Sequence, residues 1–472
     1  MSVEDALLLT RRGTVTAPAG CGKTHAIATA LIRYDGSLPV LVLTHTNAGV
    51  SALRKRFQSL SVPAARYRVA TIDGFCLNLV SKFQRRSGVA AATLLLNNTK
   101  ADYPAIRQAA IRLIQGKHLD DALTATYGRL IVDEYQDCSI PQHTIVDGMA
   151  NVLPTCVLGD PMQAIFGFTE PLVDWTQDVH GRFPPVGELD VPWRWVNADT
   201  EELGKWLLMV RRALQDGGSI DLRTAPPHVE LVTLRAVDAA AQRLAAARAK
   251  AITKDGTVMI LGDSVKVAER HKAASQIPGA TCVESVDLKD LTGFGKRFHP
   301  GAANAMEELL KFGASLMTNV GQAETLRRLA SLRGGKARNS ASQVEAALLN
   351  FGADPTLRSA HSALAQMRVH NNVRVYRPEI LHRCLSAMDA AADGSCTFYE
   401  ATVRERERFR HRGRPMHSRN VGSTLLLKGL EAEVVVILHP ELMDARHLYV
   451  ALSRGSHRTV ICSADAVLTP LK

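Results

Sequence analysis

The chain has 472 residues, 46% of them hydrophobic and 22% charged, which excludes disordered, collagen-like and fibrous classes and calls for several domains rather than one core. Lysine and arginine number 57 against 46 acidic residues, a formal charge of +11, so a polyanionic partner is the first expectation. Eight cysteines include no Cys-x-x-Cys pair, and neither a signal-peptide pattern nor an apolar run of roughly 18 residues occurs, so a zinc ribbon, a disulfide scaffold, secretion and membrane spanning are not expected, and a cytoplasmic setting is.

In chain order, β-branched runs come first: GTVTAP from Gly13, LPVLVLTHT from Leu38, LIVDE from Leu130 and TCVLGD from Thr155, separated by helical patterns. That alternation predicts a mostly parallel sheet with helices on both faces. From Gly88 to Ala125 the chain is helix-like, rich in Ala, Leu and Arg, and reads as an insertion. Strand runs return in TVMILG from Thr257, EVVVIL from Glu433 and RTVIC from Arg458, a second α/β core interrupted by a helical stretch between Cys282 and Arg414. Near its end RERERFRHRGR sets Arg at every even position from Arg404 to Arg414. On a strand these would share one face; a solvated helix or linker is expected over a phosphate-binding ribbon.

After the first strand comes Ala17-Pro18-Ala19-Gly20-Cys21-Gly22-Lys23-Thr24, a Walker A loop with Ala in place of its first Gly. The glycines let backbone N–H groups close around phosphate oxygens, Lys23 reaches the β/γ phosphates and Thr24 ligates Mg²⁺. Leu130-Ile131-Val132-Asp133-Glu134 is a buried strand ending in two carboxylates. Asp133 suits the Mg²⁺ shell and Glu134 suits a base that activates water, which points to a hydrolysing P-loop NTPase.

The ordered set of motifs resembles UvrD/Rep-like superfamily 1A DNA helicases. Residues 17–24 resemble motif I, Thr44-His45-Thr46-Asn47-Ala48 motif Ia, Thr71-Ile72-Asp73-Gly74-Phe75 the TxHGF segment, and Val132-Asp133-Glu134-Tyr135-Gln136-Asp137 motif II. Gly159 to Phe168 resembles motif III, Trp193-Arg194 motif IV, Lys428-Gly429-Leu430-Glu431 motif V, and Tyr449 to Arg454 motif VI. The resemblance implies two RecA-like P-loop NTPase cores in tandem, each with a mainly helical insertion and the second insertion reduced. The expected parts are 1–87 with 126–191 (first core), 88–125 (its insertion), 192–281 with 415–472 (second core) and 282–414 (its insertion).

Residue by residue, the resemblance implies Lys23, Glu134, Gln163, Arg194 and Arg454 as catalytic, the two arginines reaching the transferred phosphoryl group from the second core. Ala19, Gly20, Cys21, Gly22, Lys23, Thr24, Trp193 and Glu431 would bind ATP, with Thr24 and Asp133 on Mg²⁺. Trp193 either stacks on adenine or is a core residue under the second sheet. Thr46, Asn47 and Thr71 would contact DNA phosphates, and Phe166 and Phe168 would stack on bases, although outside motif III both would read as core. Arg54-Lys55-Arg56 either adds charge there or is a solvated helix face.

Some positions depart from the family: Asp5 where an adenine-reading Gln is expected, His45 and Thr169 beside the stacking residues, and Leu425 for the His of motif V. The implied activity is an ATP-dependent 3′→5′ translocase or helicase on single-stranded or tailed DNA. The short stretch before motif I, the segments IDGF, DEYQD and GDPxQ, and the short C-terminal tail also look like those of the helicase subunit of the Gabija anti-phage system, whose partner is an OLD-type nuclease with a Toprim domain. That likeness implies the alternative of a DNA-end-sensing ATPase that regulates a partner nuclease.

Overall fold

The computed structural model describes residues 2–96, 98–167, 170–412 and 415–471. It divides into two compact units: one runs to Val229 and takes in Glu441–His457 and the stretch from Ala466, and the other comprises Glu230–Pro440 and Arg458–Asp465.

In the first unit β1 (Arg12–Thr16), β2 (Val40–Thr44), β3 (Tyr67–Thr71), β4 (Arg129–Val132), β5 (Thr155–Gly159) and β6 (Pro185–Glu188) form a sheet of order β3-β2-β4-β5-β1-β6. All its pairings are parallel. A strand buried on both faces must be apolar at every position, and the period of two divides it between two cores. Val40 and Val42 of β2, Ile131 of β4 and Leu158 of β5 pack with Ile27, Leu31, Leu53 and Phe57 of the helices Lys23–Arg33 and Asn47–Ser59. Leu41, Leu43, Leu130, Val132 and Val157 face the other way, against the helices Ile72–Lys82, Thr99–Gln115 and Ile140–Met149. Each such side chain contributes about 1.5–3 kcal/mol on burial. The helix Thr99–Gln115, in the first expected insertion, thus shares the sheet's own core through Ile106, Ala110 and Ile114. A short antiparallel ribbon of β7 (Ile220–Asp221) with β14 (Val467–Leu468) completes the unit.

The second unit has a sheet of order β10-β11-β9-β12-β13-β8, made from β8 (Val229–Thr233), β9 (Val258–Leu261), β10 (Thr281–Cys282), β11 (Arg419–Gly422), β12 (Ala432–Ile437) and β13 (Gly455–Ser463). The pairs β10–β11, β11–β9 and β9–β12 are parallel. Two α/β units with parallel sheets fit tandem RecA-like cores. Among the described residues, seven helices lie between β10 and β11, from Lys289–Arg297 to Phe398–Arg412. They have a separate core in which Phe294 stacks on Phe312 at 3.8 Å beside Leu309, Leu364 and Met388. The alternating arginines fall on the last of these helices, where Arg406 and Arg410 pair with Glu407 and Arg408 with Glu405, a charge-laced helix and not a ribbon; Arg414 lies outside the described residues.

The compact units place three stretches expected in the second core, 192–229, 441–457 and 466–472, with the first. The helix Glu201–Gln215 and the helix Ala445–Leu452, expected in the second core, belong to the first unit. Specific bonds join both to the first unit: Arg211 of the former is ion-paired to Asp160, and the Tyr449 hydroxyl of the latter accepts the Ala19 N–H at 3.0 Å.

Candidate nucleotide site and nucleic-acid face

Adjacent strands β4, β5 and β1 release the chain at the same edge of the sheet, which is where ligands bind in parallel α/β folds. β1 leads into the glycine-rich loop, β4 into Asp133 and Glu134, and β5 into Asp160. Gly20 and Gly22 have φ of +74° and +83°, the left-handed region that glycine enters without strain. Space forbids a side chain as well: a Cβ on Gly20 would lie 2.5 Å from the Trp195 ring, and one on Gly22 3.0 Å from Trp193. The helix Lys23–Arg33 has Gly22 as N-cap with no side-chain cap, so its first N–H groups point at the loop with the positive end of the helix dipole.

Lys23 Nζ lies 3.2 Å from Asp133 Oδ1 and 2.5 Å from Glu134 Oε1. Burial by itself would lower the pKa of Lys23, but Asp133 and Glu134 outweigh it and hold the ammonium above its ordinary range. Burial, helped by the charge of Glu134, lifts Asp133 above the usual carboxylate range against the pull of Lys23. The three groups form one cluster, with Lys23 bonded to both carboxylates. Glu134 has φ of +57°, a conformation costing a non-glycine residue of order 1–3 kcal/mol. The Nε2 of Gln136, a buried residue, donates to Glu134 Oε2 at 2.6 Å, and its Oε1 accepts the Asp160 backbone N–H at 3.1 Å.

That bond joins the cluster to the loop after β5. Asp160, fully buried, accepts from Gln163 Nε2 at 3.1 Å and from Arg211 Nε and Nη2 at 3.0 and 2.9 Å. Gln163 is therefore held in a chain that runs from Lys23 through Glu134, Gln136 and Asp160. Cys21 is buried and its thiol pushed up to about 12, first by desolvation and then by Asp160, so it is an inert packing group. Two of the expected phosphate-binding amides are committed elsewhere: Ala19 N–H donates to the Tyr449 hydroxyl at 3.0 Å, and Cys21 N–H to the Pro18 carbonyl at 3.2 Å. Thr24 sits one residue after Lys23 in the first helical turn.

Arg194 and Arg454 were expected from the second core, and both belong to the same compact unit as Lys23. The Arg194 backbone N–H donates to the Gly20 carbonyl at 3.0 Å, which seats it on the phosphate loop. Its guanidinium donates to the Ser453 carbonyl, while Arg454 Nη2 donates to the Ser453 hydroxyl at 2.9 Å and its Nε to the Val450 carbonyl at 2.9 Å. Ser453 thus fixes both arginines. Trp193 is 48% exposed beside Gly22, so it is not a core residue; the core position is taken by the neighbouring Trp195, 1% exposed. Glu431 is exposed immediately before β12 in the second unit. Asp5 is engaged in the capping box of the helix Val3–Leu9 and lies 3.7 Å from Arg33.

On the expected DNA face, Thr46 and Thr71 are N-caps whose hydroxyls accept from Gly49 and Gly74 N–H at 3.0 and 2.9 Å. Asn47 is exposed at the helix start, and Phe166 is half-buried with its ring 6.5 Å from His45. Phe168 and Thr169 lie outside the described residues. In the second unit His271, Cys282 and Glu284 bring ligand atoms within 4.8 Å of one another, but both Glu284 oxygens are held by Arg377 at 2.7 and 2.9 Å. This group is a buried ion pair with two neighbours.

Gln136, Asp160, Tyr449, Ser453, Arg211 and Trp195 carry much of this geometry without having been singled out for a role. The first four sit inside quoted motifs, which was a usable signal; Arg211, in an amphipathic helix, gave none.

Residues 4–108 and 90–184 match the family model of the UvrD/REP helicase N-terminal domain. The ATP-dependent DNA helicase PcrA of Leuconostoc citreum is 28% identical over 167 residues, 30% of this chain and 22% of that protein. The chain therefore spans about a fifth of the length of that curated relative. Among solved structures, Pif1 helicase from Candida albicans has a TM-score of 0.40 at 10% identity, over 96% of this chain and 92% of that one. An arterivirus nonstructural protein 10 helicase complexed with DNA has a TM-score of 0.28 at 11% identity, over 53% and 48% of the two chains. The UvrD-like match, from residue 4 to residue 184, takes in Lys23, Asp133, Glu134, Gln136, Asp160 and Gln163. No helix among the described residues is long and apolar enough to cross a membrane.

Proposed function

We propose that the chain is a DNA-dependent ATPase that moves along single-stranded or tailed DNA, a UvrD-like translocase or helicase of 3′→5′ polarity. The observation that carries this reading is the cluster of Lys23, Asp133 and Glu134, bonded through Gln136 and Asp160 to Gln163. ATP would be held by the uncapped start of the helix Lys23–Arg33 and by Lys23, with Trp193 beside the loop for the base. Mg²⁺ would be held by Thr24 and Asp133 and would supply charge neutralisation on the phosphates. Glu134 takes the proton of the attacking water, Gln163 senses the terminal phosphate, and Arg194 and Arg454 stabilise the charge that develops on it. The DNA strand would lie across Thr46, Asn47, Thr71 and the Phe166 ring.

The second reading, a DNA-end-sensing ATPase that controls a partner nuclease in anti-phage defence, is favoured by Leu425, an apolar residue where the family's motif V has His. ATP hydrolysis with and without single-stranded DNA, measured beside displacement of a strand from a tailed duplex, tests both. Stimulated hydrolysis with displacement supports the motor, and stimulated hydrolysis without displacement supports the sensor. Hydrolysis that ignores DNA contradicts both readings.

A further inference from the structure

A cavity of about 730 Å³ opens in the first unit between the edge strand β3, the helix Ile72–Lys82 and the residues that lead into β4. Its volume falls in the roughly 300–1,000 Å³ range of ligand sites. Arg54, Arg68 and Lys82 stand in its wall, and among the described residues no Asp or Glu lines it. Arg54 donates to the Val69 carbonyl at 3.2 Å, and Arg68 to the carbonyls of Ala64 and Tyr67 at 3.0 and 2.8 Å. Both guanidinium groups are thereby fixed against the edge strand by neutral acceptors that leave their charge uncancelled.

The wall also carries three aromatic rings, those of Tyr67, Phe75 and Tyr127. Tyr67 is braced edge-on by Phe57 at 4.8 Å, and Tyr127 stands 6.4 Å from the buried Phe75. Tyr67 and Tyr127 are each half-buried, so part of each ring remains available at the surface. Three cations with no carboxylate lining the cavity among the described residues, set beside ring faces, match the two halves of a nucleotide: phosphate on the cations and base on an aromatic face. Gly74, whose N–H donates to the Thr71 hydroxyl, lines the cavity together with Lys82, so a strand lying on Thr71 would border it.

We propose that this cavity seats a nucleotide of a DNA strand, a contact beyond the motif residues that extends the strand's path along the helix Ile72–Lys82. It rests on the DNA-binding reading above. The test uses the full chain carrying Arg68→Ala with Lys82→Ala, both exposed positions, after thermal melting has shown the fold intact. Single-strand affinity should fall, and the slope of log K against log salt should become shallower by about 1.4, two charges at ~0.7 each, with DNA-free ATP hydrolysis unchanged. In a second arm, a photoreactive benzoylphenylalanine in place of Asn78, an exposed lining residue, should label a bound oligodeoxynucleotide, and excess deoxynucleoside monophosphate should not remove the label. An unchanged slope, or no label from a chain whose parent binds the strand, overturns the cavity proposal and leaves the DNA reading standing. A label displaced by the monophosphate assigns the cavity to free nucleotides and overturns it too. A parent chain that binds no strand removes both.

Discussion

The turn after β1 and the turn after β9 both join an interior strand of a parallel sheet to a helix, and they treat their backbone amides in opposite ways. After β1, glycines at φ of +74° and +83° lead into the helix Lys23–Arg33, whose first N–H groups meet no side-chain cap. After β9, the Asp263 carboxylate accepts the N–H groups of Val265 and Lys266 at 2.7 and 3.0 Å. Burial would raise the pKa of Asp263, but those two backbone bonds outweigh it and hold the carboxyl below its usual range. The second turn closes two amides on its own carboxylate, whereas in the first Ala19 and Cys21 N–H have protein acceptors and no carboxylate closes the turn; we propose that phosphate meets the helix start there. A parallel sheet sets where such a turn lies; the residues in it decide whether it binds anything.

The sharpest break between the two turns is catalytic. Glu134→Gln should lower ATP turnover by roughly 10²–10⁴-fold while nucleotide binding persists, and Asp263→Asn should leave turnover unchanged, both measured as phosphate release at saturating ATP.

Glycine substitution separates the turns next. Gly20→Ala puts a Cβ 2.5 Å from the Trp195 ring at a positive φ, so it should destabilise the first unit by about 1–3 kcal/mol and weaken nucleotide binding. Gly262→Ala meets only the flexible Arg270 side chain at 3.0 Å and should cost less. All four tryptophans, Trp175, Trp193, Trp195 and Trp206, lie in the first unit, so their fluorescence on denaturation reads that unit selectively.

Acid should distinguish the units in the other direction. Burial, with Arg377 beside it, lowers His271 of the second unit from 6.5 to about 4. Its folded form binds the proton more weakly than the unfolded chain, so its contribution to stability is complete above about pH 6.5 and lost as pH falls towards 4. With the discount for its partial exposure the loss is of order 1–2 kcal/mol. Hydrogen exchange of β9 and β12 should accelerate across that window in the wild type and stay flatter in His271→Leu.

The smallest effect belongs to the carboxylate that closes the turn after β9. Asp263→Ala should cost ~1 kcal/mol, as loss of such hydrogen bonds does, visible as faster exchange at Val265 and Lys266 with ATP hydrolysis unaltered.

How far the sequence could be read follows from where each interaction comes from. The phosphate loop and the Asp133–Glu134 pair were legible because their chemistry is local: a strand, a few residues and a helix start are contiguous in the chain. The two α/β units were legible for the same reason, since a strand buried on both faces is apolar throughout, as in VLVLT of β2. What escaped was long-range. Arg211 reaches Asp160, Tyr449 takes the Ala19 amide, and Trp195 fills the space above Gly20, each from a segment far along the chain. Those same contacts place Arg194 and Arg454 in the first unit, which the division by strand runs could not show. Ala19 and Cys21 were assigned to phosphate by position in the loop, and only the fold reveals that their N–H groups have protein acceptors.

The central claim is that the chain has one nucleotide site, built on the turn after β1. Titration of the full chain with a non-hydrolysable ATP analogue and Mg²⁺, followed by isothermal calorimetry, measures it most directly. The account predicts one tight site per chain, abolished by Lys23→Ala and unchanged by Asp263→Ala. Two tight sites, or binding that survives Lys23→Ala, would contradict it.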